Sequence, residues 1–312
     1  MSVSAMQLDK RSGLKLSLCM GLAVMLTQCT VSSEQAIVSQ ESIVTPSPEL
    51  AIAEPTLKIQ NWPNDEAPVA RVHVVTIPAS LSLEVAISDD LKPINTFATE
   101  TGAMAVINGG FFDPYNAQTT SFVTVNGTLV ANPQDNRRLI DNPALTPYLD
   151  QIFNRSEFRR YACGEAVRYD ITQHSAPVPD GCMLHSALGA GPQLLPEDTS
   201  QQEGFTDYVD STLIRDAIGS QQRNARSAIG IAQDGTVVWI MVVQAQPSGG
   251  MTLAELATFM TTLGMQKSLN LDGGSSASLY FASTEEGQTY FGRLDNNGQP
   301  IRRPVKSVLL IR

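Results

Sequence analysis

No apolar run in this 312-residue sequence reaches the roughly 20 residues that a helix needs to cross a bilayer; the stretch from Leu16 to Leu26 is short and broken by Ser17 and Gly21. Aromatic residues are scarce at 6%, and charged residues at 17% fall below the roughly 25% of an average globular domain. Hydrophobic residues at 42% are nevertheless too many for a disordered chain. Basic residues are outnumbered, 21 against 31 acidic, and the net charge of −10 opposes the counterion-releasing attraction that drives binding to nucleic acid. No nucleic-acid partner is expected. Four cysteines are too few for a disulfide-stapled scaffold of this length, and no C-x-x-C or H-x-x-x-H pair of the kind that holds zinc occurs. A P-loop, a dinucleotide fingerprint, an H-E-x-x-H motif and an EF-hand loop are likewise missing. No metal and no cofactor are expected.

What is present begins with an address. Lys10, Arg11 and Lys15 precede the apolar run, and a polar stretch starts at Thr27, which is the layout of a secretory signal over residues 1–28. Leu26-Thr27-Gln28-Cys29 resembles a lipobox with Gln28 in place of a small residue. Two outcomes stay open: lipidation at Cys29, which would anchor the chain to a membrane facing the periplasm or the exterior, and ordinary cleavage near Ser33. Cys163 and Cys182 remain. In an oxidising compartment they most simply form one disulfide, with a zinc site shared with His174 and His185 as the competing reading.

Residues 29–58, rich in Ser, Glu and Pro, read as a flexible tether, and residues 59–312 as the folded domain. Strand patterns cover Val69 to Ile77, Ser82 to Ile87, Met104 to Asn108, Ser227 to Ala232, Thr236 to Val243, Ser268 to Leu271 and Val305 to Ile311. Asn126-Gly127 and Asp234-Gly235 mark hairpin turns. Thr252 and Glu255 form a capping box ahead of a helix that Gly264 ends. The polar stretch 133–182 reads as an insertion whose middle, Pro147 to Tyr161, is expected to be helical. Many hairpins and few helices predict one α+β domain of mixed or antiparallel sheet with a few packed helices.

Two glycine pairs stand at strand ends. Asn108-Gly109-Gly110 follows one strand, and Asp272-Gly273-Gly274-Ser275-Ser276 follows another. Glycines there let backbone approach a ligand and offer amide donors to an anion, or else form a plain tight turn. Ser276 lacks the G-x-S-x-G context of a nucleophile elbow, and none of His73, His174 and His185 has the setting of a triad base. Arg226, just before a strand, has the planar fork suited to phosphate or carboxylate.

Five segments in order resemble the phosphodiester glycosidase family. They are Ile107-Asn108-Gly109-Gly110-Phe111-Phe112-Asp113, Gly189 to Leu194, Ala225 to Gly230, Asn270 to Ser276, and Arg303 to Val308. The resemblance implies hydrolysis of an N-acetylglucosamine-type sugar-1-phosphodiester in an envelope or extracellular polysaccharide, between the anomeric carbon and the phosphate oxygen. Asp272, and after it Asp113, would be the catalytic carboxylate. Arg226, Arg303 and the Gly273 and Gly274 amides would cradle the phosphodiester. Asn108, Gly109, Gly110, Asn270, Ser275 and Ser276 would shape the substrate site. Two positions depart from the family: Ser275 replaces a glycine, and Gln244-Ala245 replaces Asp-Gly after a strand. A non-catalytic glycan-binding protein of the same fold, and a serine hydrolase using Ser276, are the alternatives.

Overall fold

Alternation of apolar and polar residues, switching to continuous apolar runs, dictates most of the backbone. The computed structural model describes residues 54–282 and 287–312, all within the unit Ala51–Arg312. The leader, Cys29 and most of the tether lie outside the described residues. In chain order the strands are β1 (Thr56–Trp62), β2 (Ala70–Ile77), β3 (Leu83–Lys92), β4 (Ala105–Asn108), β5 (Val123–Val125), β6 (Thr128–Ala131), β7 (Ser156–Cys163), β8 (Ala166–Gln173), β9 (Met183–Gly189), β10 (Gln193–Leu195), β11 (Thr206–Val209), β12 (Thr212–Asp216), β13 (Arg226–Ala232), β14 (Val237–Gln244), β15 (Met265–Asn270), β16 (Ser278–Phe281), β17 (Gln288–Phe291) and β18 (Val305–Ile311). The helices are α1 (Ile94–Thr101), α2 (Arg137–Ile140), α3 (Leu149–Phe153) and α4 (Leu253–Thr262).

Three sheets and a small hairpin result. One sheet runs β1-β2-β14-β13-β15-β10, a second β17-β16-β4-β18-β3, a third β6-β5-β9-β7-β8, and β11 pairs only with β12. Among the described residues the strand pairs are antiparallel. The fold is therefore mostly β with few helices, and its sheets are antiparallel where mixed ones were also allowed for.

The long apolar strands are buried on both faces. In β14, Trp239 and Met241 enter the central core with Ile107 of β4, Leu188 of β9 and Leu309 of β18. Val238, Ile240 and Val242 of the same strand point the other way, under Leu253, Leu256 and Met260 of α4. In β18, Leu309 and Ile311 face the central core while Val308 and Leu310 pack with Ile94 and Phe97 of α1. The strand period of two thus sends alternate residues into separate cores, and one helix covers the outer face of each of two sheets.

Local signals give the expected local structures. Asn126 and Gly127 take φ of 51° and 74° at the β5–β6 turn, the left-handed pair that a two-residue hairpin of type I′ requires. Thr252 and Glu255 form the reciprocal capping box of α4. The stretch 133–182 differs from expectation: only Leu149–Phe153 of the predicted Pro147–Tyr161 helix is α-helical, and strand begins at Ser156. Phe158 and Ile171 on β7 and β8 are buried in the central core, which outweighs the weak helical preference of the segment. Cys163 and Cys182 are disulfide-bonded, so neither thiolate is left for zinc. His174 stacks on Phe122 and His185 meets Arg160 instead.

Candidate active site

The two glycine-rich strand ends come from different sheets and dock on each other. β4 ends at Asn108 and β15 at Asn270. The Asp272 amide donates to the Gly109 carbonyl at 3.0 Å, and the Asn108 Nδ2 donates to the Asp272 carbonyl at 2.7 Å. Asn108 Oδ1 accepts from the Ser227 hydroxyl and the Ser278 amide. A single fully buried amide therefore ties β4, β13, β16 and the Asp272 turn together. Both polar atoms of the Asn108 side chain are thereby engaged within the protein.

Gly109 and Gly110 are required by close approach, since neither has a positive φ. A Cβ on Gly110 would stand 2.1 Å from the Gly189 carbonyl oxygen, and one on Gly109 would stand 2.5 Å from Ser307 Oγ. Both glycines hold strands together. The Gly109 amide donates to Ser307 and is not left for an anion.

Asp272 lies in a cavity of about 290 Å³ whose wall also includes Phe111, Asn224, Arg226, Asn270, Gly273 and Gly274. Its carboxyl keeps contact with solvent through the cavity, with protein on its other sides. Burial pushes its pKa up from 3.8 to about 6, against the opposing pull of the Ser276 hydroxyl, the Arg303 charge and the Gly273 amide. Such a group exchanges its proton near neutrality, as a general base or an ionisable nucleophile must. Asn270 adds polarity to the wall. Its Nδ2 donates to the Gly191 carbonyl at 2.9 Å, while its buried Oδ1 has no partner among the described residues.

The expected phosphate cradle is rearranged. Arg226 lines the cavity, but its guanidinium donates to the carbonyls of Met251, Ile218, Gly219 and Gln222 at 2.6–3.0 Å. Burial lowers its pKa to about 10, still far above neutrality, so it remains a cation bound up in fastening the 218–222 loop. The Gly274 amide donates to the Ala225 carbonyl and is not free to cradle an anion, while the Gly273 amide helps to hold down the Asp272 pKa. Arg303 is placed differently. Its Nη1 donates to the Ser275 hydroxyl at 2.9 Å and its charge acts on Asp272. Ser275, at the family's usual glycine, thereby orients the arginine. Ser276 is buried, and no histidine lines the cavity.

Asp113 is not brought to this cavity. Its carboxylate accepts from Arg138 Nε and from the Tyr115 amide, both at 2.8 Å. Gln244 is also elsewhere: its amide donates to Pro247 and Gly249 and accepts from Leu294, so it clamps two loops without reaching the cavity wall. The sequence reading passed over Asn224 and Arg293. Arg293 Nη1 lies 3.5 Å from where a Gly274 Cβ would be, and its side chain is solvent-exposed. The run Phe291-Gly292-Arg293 held a hint, because a Cβ at Gly292 would stand within 3 Å of the Ala277 and Ala225 side chains, so only glycine fits there, just before Arg293. Among the described residues no group of three or more His, Cys, Asp or Glu side chains is arranged to hold a metal.

The family model described as phosphodiester glycosidase matches residues 101–312. Among solved structures, the chain resembles the zebrafish N-acetylglucosamine-1-phosphodiester alpha-N-acetylglucosaminidase catalytic domain auto-inhibited by its pro-peptide, with TM-score 0.57, 17% identity and 83% of each chain covered. A putative exported protein of Burkholderia pseudomallei matches with TM-score 0.57 and 17% identity, over 80% of this chain and 75% of the other. A hypothetical protein from Synechocystis matches with TM-score 0.50 and 16% identity, over 82% and 62%. At these identities the likeness is one of fold. Among curated proteins none matches.

Proposed function

The chain belongs to the phosphodiester glycosidase family, and on that premise we propose that it is an exported hydrolase that releases an N-acetylglucosamine-type sugar from a phosphodiester in an envelope or extracellular polysaccharide. The observation that carries the reading is Asp272, a carboxyl held near pKa 6 on the wall of a polar cavity and flanked by Arg303. The sugar ring occupies the cavity against Asn224 and Asn270, and the phosphodiester lies over Arg303 and Arg293. Water adds to the anomeric carbon as its proton passes to Asp272. The bond from that carbon to the phosphate oxygen breaks with its electron pair going to the phosphate. A phosphate monoester is stable as an anion, so the leaving group needs little acid assistance, and the two guanidinia offset the growing charge.

Export is supported by the Cys163–Cys182 disulfide, which suits an oxidising compartment, together with the leader-like start. Among the described residues no helix is long and apolar enough to cross a membrane. Lipidation at Cys29 stays part of the proposal, and intact-mass measurement on the membrane fraction tests it. The glycan-binding alternative leaned on Gln244-Ala245, yet Gln244 lies off the cavity wall, so the substitution there removes nothing from it. Ser276 is buried and no histidine lines the cavity, which leaves the serine-hydrolase alternative without support.

The test is release of free sugar from an N-acetylglucosamine-1-phosphodiester by wild type, Asp272→Ala and Arg303→Ala. Turnover by wild type is expected to fall at least a hundredfold in Asp272→Ala, with kcat/KM of wild type rising with pH through about 6 as Asp272 ionises. Full activity in Asp272→Ala, or glycan binding by wild type without turnover, would overturn the reading.

A further inference from the structure

Arg303 stands between two depressions. On one side the Ser275 hydroxyl ties it to the Asp272 turn; on the other it lines a separate cleft of about 360 Å³ with Asn95, Thr289, Phe291, Arg302 and Pro304. We propose that this cleft is a second anion subsite, which takes a negatively charged group carried on the alcohol side of the phosphodiester. The proposal rests on the phosphodiester glycosidase reading of the Asp272 cavity and extends it to the part of the substrate beyond the phosphate.

Charge carries the inference. The chain holds 31 acidic residues against 21 basic ones, yet no carboxylate lines the cleft while two consecutive arginines do. Among the described residues neither Arg302 nor Arg303 forms an ion pair, in contrast to Arg138, which pairs with Asp113, and Arg223, which pairs with Glu255. The Arg302 guanidinium lies 5.6 Å from the Phe291 ring centroid, a contact that steadies the side chain and leaves its N–H donors for an acceptor. The start of α1 also lines the cleft, and it carries no acidic residue in its first turn, so it adds no negative charge there. An arginine on an open surface would be screened by solvent. Arg303, which is part-buried on the cleft wall beside Phe291, is screened less than the exposed Arg302.

The shared cleft then orients the ligand. A phosphate over Arg303, with its sugar toward Asp272, leaves the alcohol side in the cleft that Arg302 also lines. The group recognised is a carboxylate or a second phosphate within a few bonds of the bridging phosphate.

Two diesters of N-acetylglucosamine 1-phosphate separate the possibilities, one with methanol and one with glycolate as the alcohol. The glycolate diester is expected to show a KM about tenfold lower at low salt, the worth of one partly screened charge-assisted contact. That ratio should collapse toward one in Arg302→Ala and be partly kept in Arg302→Lys, with thermal melts verifying that both variants fold. Binding of the two products, phosphoglycolate and methyl phosphate, by titration calorimetry needs no turnover. Preference for phosphoglycolate lost in Arg302→Ala supports the subsite even if neither diester is cleaved, in which case the reaction assigned to Asp272 fails alone. Equal KM and equal affinity in wild type, or a preference that survives in Arg302→Ala, overturns the subsite whatever happens to the reaction.

Discussion

Replacing Asp272 by Asn should make the protein more stable at pH 7 while abolishing turnover. In the folded chain the Asp272 carboxyl holds its proton up to about pH 6, whereas in an unfolded chain it releases it near 3.8. Between those values the folded state keeps a proton that the unfolded state gives up, so stability falls as pH rises through this window and the deficit is complete above about 6. Each pKa unit is worth about 1.4 kcal/mol, which sets an upper bound of about 3 kcal/mol on the cost of the ionised carboxylate. Solvent contact through the cavity reduces this, and about 1–2 kcal/mol is expected. Asparagine has nearly the same shape, carries no charge and can still accept from the Gly273 amide. Denaturant unfolding of wild type and Asp272→Asn at pH 4 and pH 7 measures the effect directly. The variant should exceed wild type at pH 7 by that amount and match it closely at pH 4, with no sugar released at either pH. A variant less stable than wild type at pH 7, or a difference that does not shrink on acidification, would refute the assignment of Asp272 as a desolvated carboxyl held against its preference.

Asn108→Ala removes the hydrogen bonds to the Asp272 carbonyl, the Ser227 hydroxyl and the Ser278 amide, and strands those groups in the interior. A loss of about 2–4 kcal/mol in urea unfolding is expected, and wild-type stability in this variant would show that the clamp is not needed. Cys163→Ser with Cys182→Ser opens a bridge between residues 19 apart, for a loss of about 3 kcal/mol in non-reducing buffer. Dithiothreitol should bring wild type to the same stability as the double variant and leave the variant unchanged.

Turns and caps were legible because their chemistry is local. Asn126-Gly127 needs no knowledge of the rest of the chain to adopt left-handed φ, and Thr252 finds Glu255 within one turn of helix. The helix expected over Pro147–Tyr161 gives way to strand from Ser156 because the partners of that strand are distant in sequence. Arg159 and Glu157 are both buried on β7, and they pair with each other while Arg159 donates further to the carbonyls of Gln173, His174 and Ala176. A buried charge is tolerated when it is paired and its donors are satisfied, and those carbonyls belong to the far side of the β7–β8 hairpin, where no sequence pattern reveals them. The docking of one sheet's strand ends on another's is equally non-local, although the small residues that permit it, Gly109 and Gly110, could be read directly.

The same distinction separates the two arginines singled out for the phosphate. Nothing in the residues around Arg226 announces that four carbonyls will converge on its guanidinium, because the 218–222 loop and Met251 reach it only in the folded chain. Arg303 keeps its charge available because its hydrogen bond goes to the neutral Ser275 hydroxyl and not to the Asp272 carboxylate. That choice has a chemical consequence. A direct ion pair would hold the carboxyl well below the usual range and stabilise the fold, as paired carboxylates do. Such a carboxylate would be a poor base near neutrality. Held off by Ser275, Arg303 tempers the effect of burial without cancelling it, and Asp272 stays near pKa 6 while the cation remains free to meet an anion. The serine in place of the family's glycine is thus compatible with catalysis, since its hydroxyl directs the arginine to the ligand side of the turn.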